Sequence, residues 1–313
     1  MIKLLRNENM KIYSRFGTWV MISMLLLVIA LGGILSKYDQ PAPDVTKWRT
    51  QAEQNISQLK GNLQKEQDPL AIKQLEETIK INEYALAHNI VPIDYSAWSY
   101  TQKGINEIPF ISLLVIVVAA GIVANEFTWG TVKSLLVKPY SRSKILLAKY
   151  LAVLQFAVVM LTILFVGTFL CKGILFGFTY IDTPYLSVDA YGNVLEGNMI
   201  VHLLSLYGLA SVNLLFVATI SFMISSLFRI SSLAIGISFL LQLFGGVATS
   251  LLATKYNWIK YTLFANTQLS MYQEGKPLIE GMTLNFSLIV LLIYFVLFVA
   301  TTWTVFNRRD IAG

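Results

Sequence analysis

The sequence predicts an all-α polytopic membrane protein with six transmembrane helices, an extracellular helical hairpin and an N-terminal interfacial amphipathic helix. Three observations predict it. The chain is 55% hydrophobic and only 13% charged, against about 25% charged residues in an average soluble domain. Its apolar residues are gathered into six long blocks. Its net positive charge falls on one side of the membrane once the blocks are threaded through it, because most of its acids fall on the other. A bilayer core requires roughly 20 apolar helical residues, and backbone polar groups in hydrocarbon must be satisfied within the spanning structure. A barrel would show weaker segments of alternating residues instead.

Residues 1–17 come first. At 100° per residue, Ile2, Leu5, Ile12, Tyr13 and Phe16 fall in one sector about 100° wide, and Lys3, Arg6, Lys11 and Arg15 lie outside it. The pattern fits a basic amphipathic helix in the inner interface, and equally a positive flank that fixes topology. The block 18–35 has an apolar run longer than the 7–15-residue core of a signal peptide, so it is read as a retained first span. Residues 36–107 form the one large hydrophilic segment. Val45, Trp48, Ala52, Ile56, Leu59 and Leu63 recur at spacings of three and four, and so do Ile72, Leu75, Ile79 and Leu86, with polar Asn82 occupying one place in the series. Asp68-Pro69 between the runs supplies an N-cap and a first-turn proline. These seams suit two antiparallel helices, serving either as a spacer or as a domain that touches substrate or a second protein.

The remaining spans are placed at 108–124, 145–170, 203–227, 230–252 and 284–306. Pro109 suits the first turn of the second. No Asp, Glu or Arg lies inside any span so drawn. Lys149, four residues into the third, can snorkel to the inner face. Gln155, Asn213 and Gln242 are the notable polar residues within spans, as interhelical glue or as lining of a pathway. Outside, 171–202 includes a polar loop with Asp182, Asp189 and Glu196. The segment 253–283 carries Tyr256, Trp258, Tyr261, Phe264 and Tyr272, aromatics that favour the headgroup level, and is expected to re-enter the outer interface. Inside lie the loop 125–144 and the tail 307–313.

The net charge of +6 does not point to nucleic acid, because of how it is distributed. With both termini cytoplasmic, the inner segments hold twelve basic residues against Glu8, Glu126 and Asp310. The outer segments hold the other twelve with fifteen acids. That is the positive-inside pattern expected of a protein in the bacterial cytoplasmic membrane.

Catalytic chemistry finds little support. The histidines are His88 and His202, the single cysteine is Cys171, and no HExxH occurs, so no metal site is expected. There is no G-x-S-x-G and no phosphate loop; Gly275-Lys276 is followed by Pro277. No catalytic residues and no cofactor of this chain's own are predicted.

The informative stretch is 125–150, NEFTWGTVKSLLVKPYSRSKILLAKY. It reads as a short helix, a proline stop and a start of the next span capped by Ser141 or Ser143. Its order of residues (Glu126, Gly130-Thr131, Leu135-Leu136, Pro139, Ser141-Arg142 and Lys144) resembles the cytoplasmic loop of ABC-type-2 transporter permeases, the membrane subunits of one class of bacterial ABC exporter. The large outside hairpin resembles the subgroup near bacitracin-resistance-type permeases, a link to antimicrobial resistance. The resemblance implies a coupling helix around 128–137, with Thr128, Lys133 and the residues just named seated on a separate ABC ATPase subunit that binds ATP and Mg. It also implies a second permease chain, in a homodimer or heterodimer, with membrane lipids around both. Glu126 would pair with a basic group of the ATPase or of this chain. Two other readings stay open: a sensor or immunity protein whose hairpin captures a peptide antibiotic, and a membrane-embedded lipid-modifying enzyme built on His202 or outer acids.

Overall fold

The computed structural model describes residues 1–39, 47–130, 140–189, 191–272, 277–279 and 281–308. Among the described residues six helices are long and apolar enough to cross a membrane: Phe16–Tyr38, Ser99–Thr128, Arg142–Phe176, Met199–Phe228, Ser231–Ala253 and Leu284–Arg308. The chain is a helical, multi-pass membrane protein. The helical segments are longer than the apolar blocks at most ends. The second spanning α-helix begins at Ile108 and runs past 124 to Thr128, after a short helix and a 3₁₀ turn from Ser99, and the third runs from Arg142 to Phe176 rather than 145–170. At 1.5 Å per residue the third is roughly 50 Å long, more than the hydrocarbon core. Because the second helix runs on to Thr128, Glu126 lies inside it, beyond the acid-free block 108–124. Hydropathy finds the apolar middle of a helix, whereas its ends are set by hydrogen bonding.

In chain order the helices are α1 (Ile2–Tyr13), α2 (Phe16–Asp39), α3 (Trp48–Leu63), α4 (Pro69–His88), α5 (Ser99–Lys103), α6 (Ile108–Thr128), α7 (Arg142–Phe176), α8 (Met199–Phe228), α9 (Ser231–Ala253), α10 (Leu263–Asn266) and α11 (Leu284–Arg308). Two strands, β1 (Tyr185–Val188) and β2 (Val194–Gly197), form an antiparallel hairpin in which Tyr185 faces Gly197 and Val188 faces Val194. The hairpin lies within the segment 180–198 read as a polar loop, and the rest of the fold is predominantly helical. The hairpin end is tied by Asp189, whose carboxylate accepts the backbone N–H groups of Tyr191 (2.9 Å) and Asn193 (2.8 Å). Such side-chain bonds substitute for turn backbone bonds.

The described residues fall into two compact units. One comprises Leu26–Ile105 and Leu164–Tyr207. Here α3 and α4 pack in opposite directions: from Arg49 to Lys60 along α3 the partners step back along α4, from Asn89 (2.7 Å) to Glu83 (2.7 Å). Trp48, Ile56, Ile79 and Ala85 are buried. The core of this unit is Trp98 with Met199 and Leu203, packed by Phe165, Phe169 and Tyr185. The Trp98 ring lies 4.3 Å from that of Phe169, and its Nε1–H donates to the Ile181 carbonyl (2.9 Å). Glycines let α2 approach its neighbours closely. Tyr100 donates to the Ile29 carbonyl (2.7 Å) beside Gly32. A Cβ on Gly33 would overlap Cys171 Sγ and stand 3.0 Å from Leu175 Cδ1. Gly33→Ala is therefore expected to lower stability by about 1–3 kcal/mol, the usual cost of overpacking. Adding Cys171→Ala should recover most of the loss; a double variant no more stable than the single in thermal unfolding counts against this account.

The other unit comprises Met1–Leu25, Asn106–Ile163 and Gly208–Gly313. Its most buried span is the one containing α6. Buried serines of α8 grip α6: Ser221 donates to the Ile116 carbonyl (3.2 Å), and Ser225 donates to the Ala120 carbonyl (2.5 Å) while accepting the Ala124 N–H (3.1 Å). Hydroxyls of this kind serve as interhelical glue in lipid. Phe216, Ile220, Ile224, Ala234, Leu263 and Leu291 complete the core. Segment 257–272 consists of 3₁₀ turns flanking α10, with Tyr256, Trp258 and Tyr261 exposed. Fully buried Asn266 holds it in place, donating to the Lys260 and Thr262 carbonyls (2.8 Å each) and accepting from Ser287 of α11 (2.6 Å). The faces of α9 and α11 bearing Leu240, Phe244, Ile289 and Leu292 are exposed and apolar, as a lipid-facing surface requires.

Candidate functional site

Four charged side chains from three helices meet in the second of these units. Glu8 and Lys11 belong to α1, Glu126 to the last turn of α6, and Lys149 to the third turn of α7. Lys149 Nζ donates to Glu8 Oε2 (2.9 Å), Glu126 Oε1 (2.5 Å) and the Ile122 carbonyl (3.2 Å). An ammonium has three protons, so all three are engaged. Lys11 Nζ donates to Glu8 Oε1 (2.7 Å) and Glu126 Oε1 (2.8 Å). Lys149 and Glu8 are 1% exposed and Glu126 is 8% exposed. The expected snorkelling of Lys149 is thus overturned. Its partners lie within reach inside the bundle, and burial with paired charges replaces hydration by the headgroup region.

Among the described residues two acids and two bases meet here, and such pairing of opposite charges is the condition for burying them at tolerable cost. Burial alone pushes the Glu8 carboxyl upward, but the ammonium of Lys149 and the bonds from Lys11 outweigh it and hold the group below its ordinary value. Burial likewise pushes the Lys11 ammonium down, but Glu126 and Glu8 outweigh that and raise it.

The local sequence explains why α1 presents an acid to the bundle. Leu4, Glu8 and Ile12 lie four apart on one face, and all three are buried. The apolar sector expected at Ile2, Leu5, Ile12, Tyr13 and Phe16 is only partly the packed face, since Ile2 and Phe16 are 82% and 83% exposed. Two apolar neighbours carry Glu8 inward, where basic partners wait. Asn9 adds a bond to Gln155 Oε1 (2.5 Å) on α7. The turn into α2 is closed by Thr18 donating to the Ile12 carbonyl (2.5 Å) and Trp19 Nε1 to the Tyr13 carbonyl (2.9 Å). Near the end of α6, Arg15 stacks over Trp129 (5.2 Å) and Arg229, in a left-handed conformation at φ 60°, over Phe127 (4.3 Å).

Of the residues singled out in the loop, Glu126 enters the knot. Thr128 donates back to the Ala124 carbonyl (3.2 Å). Gly130 has φ +68° with open space where a Cβ would be, the left-handed conformation that glycine tolerates best. Thr131, Lys133, Leu135, Leu136 and Pro139 lie outside the described residues. The Ser141 carbonyl accepts the N–H groups of Lys144 (3.0 Å) and Ile145 (3.2 Å), opening α7. Arg142 donates to the Asn307 carbonyl (3.4 Å), and Ser143 and Asn307 bond through their side chains (2.9 Å). Lys144 is exposed. Among the polar span residues, Asn213 Nδ2 donates to Gln242 Oε1 (3.2 Å), while Gln155 is engaged with α1. His202 stacks flat on Tyr185, ring centres 3.4 Å apart. Among the described residues no group of three His, Cys, Asp or Glu side chains could hold a metal.

Sequence reasoning missed Glu8 and Lys149 as partners. The one available signal was a single acid in an otherwise basic helix, flanked four residues away on each side by apolar residues.

Residues 74–312, which include Glu126, the loop and Lys149, match the family described as "Protein of unknown function (DUF2705)". The chain belongs to the DUF2705 family. Over its full length it is 42% identical to "Uncharacterized protein YhcI" of Bacillus subtilis (strain 168), with all of both chains covered. It is also similar to "Uncharacterized membrane protein YdbK" of the same organism, 32% identical over 64% of this chain and 78% of that protein. No solved structure matches. The DUF2705 match begins after α1, so the α6 and α7 members of the knot lie within it and Glu8 and Lys11 lie before it.

Proposed function

We propose that this chain is the permease subunit of a bacterial ABC exporter, forming the translocation path and coupled to a separate ATPase subunit. The observation that carries the reading is the knot. It binds α1 to both helices flanking segment 131–139, the same segment whose residues resemble the ABC-type-2 coupling loop. A push on that loop reaches α6 at Glu126 and α7 at Lys149, and both charges are tied to Glu8 and Lys11. The three helices would therefore move as one body. Buried, fully paired charges suit this role, because separating them exposes uncompensated charge in a poorly polarisable setting.

In this reading α1 lies in the inner interface, with its Ile2 and Met10 and the first residue of α2, Phe16, entering the lipid, and both termini are cytoplasmic. The pair α3–α4 stands on the outer side of the cytoplasmic membrane as an extracellular hairpin. A second permease chain completes the path, and ATP and Mg bind to the ATPase. ATP can drive the cycle only by binding two conformations differently, and the knot is the element that carries the difference into the spans.

The test is a mild-detergent purification of the chain from its native host, with and without aspartate at Gly130 and Leu135. An ABC ATPase should co-purify in about equal amount with the native chain. The substitutions should release it while the chain stays in the membrane. Absence of any ATPase under conditions that retain the native fold would sink the proposal.

A further inference from the structure

The unit containing α3 and α4 holds a half-enclosed cavity of about 250 Å³. At roughly 30 Å³ per water molecule in the liquid, that is space for about eight waters. Its walls include Ile90, Ile93, Leu186 and Met199, with Asn82 of α4 and Gln102 of α5 facing the same space. Asp94 is the one charged residue in the lining.

Asn82 is the polar interruption in the α4 seam. It stands three residues after buried Ile79 and four before Leu86, in the apolar series of that helix. A leucine there would occupy the cavity, whereas the sequence supplies an amide. Neither the Asn82 nor the Gln102 side chain has a hydrogen-bond partner among the described residues, and both are half-buried. Each amide offers an N–H donor and a carbonyl acceptor, which is the complement of a peptide group. Apolar walls with a few convergent polar groups are the usual form of a ligand site. The single carboxylate and the absence of a basic residue from the lining disfavour an anionic ligand. An acyl chain would fill the walls and leave both amides unpaired.

We propose that this cavity binds a peptide segment, seating one bulky apolar side chain against Ile90, Ile93, Leu186 and Met199 and pairing the adjacent peptide groups with Asn82 and Gln102. The proposal stands independently of the exporter reading, since it concerns a ligand of one unit and not the source of energy.

The experiment uses the full chain in phosphatidylcholine nanodiscs and the N-acetyl, N-methylamide derivative of photo-leucine as probe. After irradiation, adducts should map to 81–102 and 183–199. An alkyl diazirine of similar size without amides should label these segments about tenfold less. Asn82→Leu and Gln102→Leu should each reduce the photo-leucine adducts about tenfold through cavity filling and loss of hydrogen bonds. If a leucine variant fails to fold, Asn82→Asp, which keeps the size and removes the donor, is read in its place and should reduce labelling about fivefold. Labelling unchanged in a folded variant, or equal labelling by the alkyl probe, overturns the proposal; the second result would make the cavity an acyl-chain site.

Discussion

Lys149→Met is expected to destabilise the unit containing the knot by about 3–5 kcal/mol, the range found when one partner of a buried charge pair is removed. The Glu8 and Glu126 side chains are 2% and 10% exposed, and of the two knot lysines Lys11 would remain between them. Thermal unfolding of native and variant chains in the same nanodiscs measures the loss, and proteolysis at α1 reports whether that helix detaches. Glu8→Gln combined with Lys149→Met should cost less than the two single changes added together, as interacting residues require. pH gives a second handle. The Glu8 carboxyl is held below its ordinary value of 4.5, so its contribution is present above that value and is lost as pH falls through the lowered one. Lys11 is raised above its ordinary 10.5, so its contribution is present below 10.5 and is lost as pH climbs through the raised value. Between these limits the gap between native chain and variant should be flat, and it should narrow in acid. A gap under ~1 kcal/mol at neutral pH would falsify the view of the knot as a mechanical link.

Trp98→Ala should be comparably damaging, at about 3–5 kcal/mol for a large aromatic removed from a packed core. The indole is 5% exposed and sits among Phe165, Phe169, Met199 and Leu203. Trp98→Phe keeps most of the ring packing and loses the bond to the Ile181 carbonyl, so about 1 kcal/mol is expected. Hydrogen exchange distinguishes the two units. In Trp98→Ala, amides in 93–105 and 178–203 should lose protection while those of α1 and the first turns of α7 keep theirs. Uniform loss along the chain would show that the aromatic cluster does not act locally.

The spans were legible because hydrocarbon imposes a long, nearly unbroken apolar run, and each such run reads the same wherever it packs. Their ends were less legible. Glu126 looked like a loop residue because it follows the apolar run, yet α6 continues through it to Thr128. The β1–β2 hairpin was hidden by its length. Val188 and Val194 bracket Asp189, Gly192 and Asn193, which are turn residues, but four-residue strands give too little alternation to rise above a polar loop. The knot was legible in one member only. Glu126 stood out through the resemblance, whereas Lys149 was indistinguishable from any lysine near a membrane surface until Glu8, 141 residues away in sequence, was seen beside it. Periodicity marks the apolar sector of α1 but is blind to which side of that sector meets another helix.

The same separation sets an order of assembly. Glu8 and Lys11 leave the ribosome long before Glu126 and Lys149, whose separations from them are 115 and 141 residues. During that interval α1 has none of its final partners on α6 and α7, and its exposed Ile2 and Met10 offer only a greasy footing on the bilayer. Docking must wait until the third span has entered the membrane in the correct direction. Until both α6 and α7 have been made the knot cannot close, so the docking of α1 is a late event although α1 is the first helix made.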